Sequence, residues 1–177
     1  MYSDQIRISL VAEAPGGESP TVGLPPSIPP GTETILLVED EEMVRKLARH
    51  ILEVIGYNVL EAESGGEAME VCKDHNGAVH LLLTDVVMPR MSGPQLGKEV
   101  IKMWPDIGIL YMSGHTANVI ARHDVREDSV PFLHKPFSPE ALALKVRETL
   151  DTPGQAKIYA STMLTQDSSL VPQLVGS

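Results

Sequence analysis

Five residues carry side chains suited to metal or phosphoryl chemistry, and each follows an apolar run. Glu39 and Asp40 close "ILLVED", Asp85 closes "LLLTD", Ser113 closes "ILYMS", and Lys135 follows "FLH". Apolar runs of this length, bounded by turn residues, read as buried strands. The five side chains therefore fall at strand C-terminal ends, the edge where open parallel sheets bind ligands. If the strands ending at Asp40 and Asp85 are neighbours, three carboxylates meet there and repel one another unless a cation sits among them. An all-oxygen set suits Mg²⁺, which keeps several waters and pairs one or two carboxylates with a phosphate. A lysine ammonium neutralises phosphoryl oxygens, and a hydroxyl can hydrogen-bond one of them. Singly, each residue has a plainer reading: Asp85 and Ser113 as turn formers, Lys135 as a surface lysine. Their succession along strands one, three, four and five is what points to chemistry. For Glu41 and Glu42 the plainer reading, an acidic first helical turn, is preferred.

The elements that must position these residues are legible in the patterning. After "ILLV", the stretch "EMVRKLARHILEVIG" places Val44, Leu47, Ala48, Ile51 and Ile55 at helical spacing, with Gly56 as C-terminal cap. "YNVLEA" alternates as a second strand, and Ser64 caps a helix running to about Asp74. "HLLLTD" is the third strand, and Pro94 opens a third helix that ends near Trp104 and Pro105. "IGILYMS" is the fourth strand, followed by a weakly marked helix over 116–123 and a fifth strand, "VPFLH". Ser138 as cap, Pro139 at the first helical position and Leu142, Val146 and Leu150 on one face give the last helix. Strands alternating with helices in this way imply a mostly parallel sheet covered on both faces.

Residues 33–151 form the expected folded domain. Six of the fourteen prolines lie in residues 1–31, so 1–32 reads as a Pro/Gly-rich linker, and 152–177 as a polar tail without periodicity. The formal net charge is −10, most of it in the middle of the chain, which argues against nucleic acid or an anionic membrane as direct partner. The single cysteine, Cys72, permits neither an internal disulfide nor a thiolate metal cluster, and a reducing cytoplasmic setting is expected. No apolar run approaches the roughly 20 residues of a membrane helix, and no signal pattern opens the chain.

"ILLVEDEE", "LLLTDVVMPRMSG", "ILYMSGHT" and "FLHKPFSPEAL" together resemble the receiver (response-regulator) domain of two-component phosphorelay signalling, over about residues 34–151. The resemblance implies a flavodoxin-like (βα)₅ three-layer sandwich with a parallel five-stranded sheet of order 2-1-3-4-5. It implies Asp85 as phosphoacceptor, and Glu39, Asp40, Asp85 and the Val87 backbone carbonyl as Mg²⁺ ligands. Ser113 would be the switching hydroxyl, Phe132 the switching aromatic and Lys135 the phosphate-binding lysine, with a cis Lys135–Pro136 peptide. Expected partners are a histidine kinase or histidine phosphotransfer protein, and a downstream target on the face of the fourth helix, fifth strand and fifth helix. The protein would be a monomer or weak homodimer.

Some positions depart from the commonest pattern of that family. Glu39 stands where a second Asp is frequent, yet remains a carboxylate, and Phe132 lacks a hydroxyl. Val87 and His115 occupy positions that the family uses to tune hydrolysis, and an apolar Val87 cannot orient a water through its side chain. Two other readings compete. An aspartate-nucleophile phosphatase of the haloacid-dehalogenase type would carry an acid at 87, where this chain has valine. A phosphorylation-independent pseudo-receiver would not need the acid pair, Asp85, Ser113 and Lys135 together. "QIRISLVAEAPGG" resembles the exit of a histidine-kinase ATP-binding domain, and "PPGTETILLVEDE" its junction to a receiver. A receiver of a hybrid sensor kinase is therefore expected alongside a free-standing regulator, self-phosphorylating and slowly self-dephosphorylating rather than multi-turnover.

Overall fold

The computed structural model describes residues 30–114 and 130–152. Its strands are β1 (Thr34–Val38), β2 (Asn58–Ala62), β3 (Leu81–Asp85), β4 (Gly108–Ser113) and β5 (Phe132–His134). Its helices are α1 (Glu42–Val54), α2 (Gly65–Asp74), α3 (Gly93–Met103) and α4 (Pro139–Asp151). The five strands form one sheet of order β2-β1-β3-β4-β5, and every pairing is parallel. The expected fold class is the one observed. The anticipated helix over 116–123, His115, and nearly all of the anticipated linker and tail lie outside the described residues.

Side-chain alternation divides the core in two. Leu36, Val38 and Leu82 face one cluster, with Ala68 and Cys72 of α2 and Leu96 and Val100 of α3. Ile35, Leu37, Leu81 and Leu83 face the other, with Ala48, Ile51 and Leu52 of α1 and Leu142, Ala143 and Val146 of α4. Because both faces are covered, β3 is buried at all five positions, which is why it reads as a continuous apolar run. Each fully buried Leu or Ile contributes about 1.5–3 kcal/mol relative to exposure.

The caps follow the sequence rules. The hydroxyls of Ser64, Ser92 and Ser138 accept from backbone N–H groups of Glu67, Gln95 and Ala141, and Ser92 with Gln95 completes a capping box. Gly56 ends α1 at φ 98°, and a Cβ there would lie 2.7 Å from the Gly31 carbonyl oxygen. One expectation is corrected. Leu47, assigned to the buried face of α1, is 50% exposed, and Leu52 is fully buried in its place. Docking of α1 on the sheet centres its apolar stripe on Ala48, Ile51, Leu52 and Ile55, which turns Leu47 outward.

The N-terminal edge of the sheet holds an ionic clasp. Arg147 on α4 pairs with Glu33 at 2.9 Å and Asp151 at 2.8 Å, and donates to the Tyr57 hydroxyl at 3.4 Å. Partial burial works against ionisation of Glu33, but its own and Thr32's backbone N–H groups and the Arg147 guanidinium outweigh it and hold the pKa below the usual value. A carboxyl depressed in the folded state stabilises above its unfolded pKa, about 4.3, and that contribution disappears as pH falls through the folded value. Glu33→Gln is therefore expected to cost about 0.5–1 kcal/mol at pH 7. In urea unfolding at stepped pH, the gap to wild type should close below about pH 4. A gap independent of pH would remove the ion pair from the explanation.

Candidate functional site

Register brings the acids together. Val38 pairs with Thr84 across β1 and β3, so the next residues, Glu39 and Asp85, emerge side by side at the C-terminal edge, where the strand order reverses. Carboxylate oxygens of Glu39, Asp40 and Asp85 lie within 4.8 Å of one another. Three carboxylates brought this close can offer hard oxygen donors to one divalent cation. Glu39 is fully buried and Asp85 6% exposed, whereas Asp40 is open to solvent.

Lys135 bridges the two buried acids, with Nζ 2.7 Å from Asp85 Oδ2 and 2.6 Å from Glu39 Oε2. Its partial burial would lower the lysine pKa, but the hydrogen bonds and charges of Asp85 and Glu39 reverse this and raise it, so the ammonium persists. Glu39 shifts the other way. Burial raises its carboxyl pKa, Asp85 adds to the rise, and Lys135 offsets only part of it. Glu39 Oε2 is buried, with the Lys135 ammonium at 2.6 Å as its one polar neighbour among the described residues. A desolvated oxygen with an unfilled lone pair, beside two further carboxylates, is the donor set a hard divalent cation takes, and the residues present fit Mg²⁺.

The backbone fixes the rest. Val87 N–H donates to Asp85 Oδ1 at 3.2 Å, so each carboxylate oxygen of Asp85 is held by a different donor. Gly93 N–H donates to the Val86 carbonyl at 3.1 Å, folding the loop after β3 back on the strand. Ser113 is fully buried at the end of β4, and its carbonyl accepts from Lys135 N–H at 2.9 Å. Phe132 opens β5 opposite Tyr111, half-buried, its ring 5.1 Å from that of His134. The Lys135–Pro136 peptide is cis.

Glu39, Asp40, Asp85, Val87, Ser113, Phe132 and Lys135 thus all lie at or beside one edge; His115 is outside the described residues. One contributor escaped the sequence reading. Arg45, in the first turns of α1, donates to the Glu39 carbonyl at 2.6 Å and ties the acidic loop to the helix. Its only signal was a base shortly after an acidic run, which is commonplace on helices.

A family model for the response regulator receiver domain matches residues 35–147. Sensor kinase CckA of Brucella abortus (strain 2308) is 43% identical over 121 residues, which is 68% of this chain and 13% of that protein. Response regulator receiver protein CpdR of the same strain is 31% identical over 116 residues, 66% of this chain and 95% of that one. Among solved structures, the receiver domain from hybrid histidine kinase CckA aligns with TM-score 0.56 and 35% identity, over 67% of this chain and 99% of that one. A CheY-like receiver domain protein from Methanospirillum hungatei JF-1 aligns with TM-score 0.60 and 27% identity, over 72% and 98%. Among the described residues no helix is long and apolar enough to cross a membrane. The match over residues 35–147, with an all-parallel 2-1-3-4-5 sheet, makes this chain a member of the response regulator receiver domain family of two-component signalling.

Proposed function

We propose that the chain is a phosphorylation-dependent switch that accepts a phosphoryl group on Asp85. The observation that carries this reading is the Asp85–Lys135–Glu39 contact at the sheet's C-terminal edge, with Asp40 alongside. An Asp85 carboxylate oxygen attacks phosphorus, a P–N bond of a phosphohistidine breaks, and the imidazole nitrogen leaves with the bond's electrons. Lys135 meets the oxygens of the transferred group, and Val87 N–H orients the attacking carboxylate. Glu39, Asp40, Asp85 and the Val87 carbonyl would hold Mg²⁺, which supplies neutralisation of the charge spread over the phosphoryl oxygens.

The product replaces a singly charged carboxylate with a more highly charged acyl phosphate. Ser113 then hydrogen-bonds a phosphoryl oxygen and Phe132 repacks, so the face that includes β5 and α4 changes its affinity for a downstream target. The phosphodonor is a histidine kinase or histidine phosphotransfer protein in the cytoplasm. The 43% identity to a stretch of sensor kinase CckA supports a receiver of a hybrid kinase as its context.

Incubation with acetyl phosphate should add one phosphoryl group by intact mass with Mg²⁺ present and none with it chelated. No adduct under conditions where Mg²⁺ binds, with no phosphate released, would leave an interaction module and overturn the proposal. The adduct should be long-lived, because Val87 offers hydrolytic water no polar partner. Val87→Asn is expected to speed adduct loss on the order of tenfold by orienting that water. An Asn variant that keeps its phosphate as long as wild type would exclude this role for position 87.

A further inference from the structure

Among the described helices, α2, α3 and α4 each open on a serine whose hydroxyl accepts from a backbone N–H, whereas α1 opens on Glu41 with no side-chain cap. The loop that enters α1 carries the acid pair, and other contacts hold it. Glu39 N–H donates to the Ala62 carbonyl beside β1 at 3.2 Å, Glu41 N–H donates to Glu39 Oε1 at 3.3 Å, and Arg45 Nη1 donates to the Glu39 carbonyl at 2.6 Å. Arg45 is half-buried, and its own N–H is bonded to the Glu41 carbonyl at 2.9 Å. A guanidinium donor makes this one of the stronger classes of hydrogen bond. The macrodipole favours anions rather than cations near a helix N-terminus, so a base in the first turns of α1 calls for a specific contact to offset its position.

We propose that Arg45 is a positioning residue for the cation site: its hold on the Glu39 carbonyl sets where Asp40 stands and thereby tunes the acidic trio for Mg²⁺. The inference rests on the reading of Glu39, Asp40 and Asp85 as Mg²⁺ ligands. A peptide unit is planar, so a fixed Glu39 carbonyl also fixes the nitrogen and Cα of Asp40. Glu39 and Asp85 are buried and bridged by Lys135, whereas Asp40 is open to solvent and depends on its backbone for its place. Mg²⁺ demands near-octahedral geometry at about 2.0–2.1 Å, while Ca²⁺ accepts irregular oxygen sets at about 2.3–2.6 Å. Freeing the loop therefore costs Mg²⁺ binding more than Ca²⁺ binding. Simple charge acts with the opposite sign, because a guanidinium repels both dications alike and its removal alone would tighten both.

Arg45→Met keeps much of the side-chain stem and removes the donor. In amide NMR titrations of the full chain with MgCl₂ and with CaCl₂, this variant should bind Mg²⁺ about tenfold more weakly, with a clearly smaller loss for Ca²⁺. Arg45→Lys, which can still donate to the carbonyl, should recover most of the Mg²⁺ affinity. Lys46→Met removes a neighbouring exposed charge, paired with Glu42, without touching the Glu39 carbonyl, and should weaken neither cation. Arg45→Ala, with the best helix former at that position, repeats the comparison if Arg45→Met does not fold. Mg²⁺ affinity unchanged or raised in Arg45→Met would overturn the proposal and leave the Mg²⁺ reading standing, as would an equal loss for Mg²⁺ and Ca²⁺. Absence of Mg²⁺ binding in the wild type would overturn the reading of the site and the proposal with it.

Discussion

Asp85→Asn abolishes phosphoryl incorporation: the Mg²⁺-dependent mass adduct is expected to disappear while the fold persists. An amide keeps the shape of the carboxylate and can still accept from Val87 N–H, but its nitrogen lone pair is delocalised and its oxygen carries no full charge with which to attack phosphorus. The substitution also removes one of the carboxylates crowded at the edge. Lys135 keeps Glu39 as partner at 2.6 Å, so no buried charge is left without a counterion. The change in unfolding free energy should therefore stay within about 1 kcal/mol. Intact mass and urea unfolding on the same preparation test both halves. An adduct that persists in the variant would move the phosphoacceptor to another side chain, whereas an unfolded variant would make Asp85 a structural residue first.

Gly93→Ala should produce the largest loss of stability of any single methyl addition near the site. A Cβ at Gly93 would lie 2.2 Å from the Asp85 carbonyl oxygen and 3.1 Å from both the Asp85 carbonyl carbon and Thr84 Cγ2. Two of those three atoms are backbone of a strand paired on both sides, so the obstacle cannot rotate away. Either β3 or the start of α3 must move, at an expected cost of about 2–4 kcal/mol. Because the displaced atoms belong to Asp85 itself, phosphoryl incorporation should slow as well. Gly66→Ala is the matched control. Its Cβ would have nothing nearer than Ser64 Oγ at 4.0 Å, and a helical Gly→Ala change there should stabilise by about 0.5–1 kcal/mol. Urea midpoints for the two variants should move in opposite directions; equal shifts would remove the steric explanation.

The sequence by itself determined the elements and their chemical endings. Apolar runs closing on Glu39–Asp40, Asp85, Ser113 and Lys135 became strand ends, and Ser64, Ser138 and Pro139 took the places that capping rules assign them, while Pro94 sits one residue inside its helix, after Gly93. These rules are local: a cap satisfies N–H groups within one turn, and a run without polar interruption must be buried on both faces. Resemblance across four motifs then supplied the strand order and the grouping of the acids.

Tertiary structure decided what depends on distant partners. That Lys135 bridges Glu39 and Asp85, that Arg147 reaches Tyr57 and Glu33, and that Arg45 holds the Glu39 carbonyl follow from packing between segments up to 114 positions apart. The rotation of α1 was decided in the same way. Leu47 and Leu52 both fit a helical stripe, and only the fit of α1 to the sheet and α4 turned one outward and buried the other. Periodicity defines an apolar arc wider than the contact that uses it, so the neighbouring surfaces choose which part of the arc is buried.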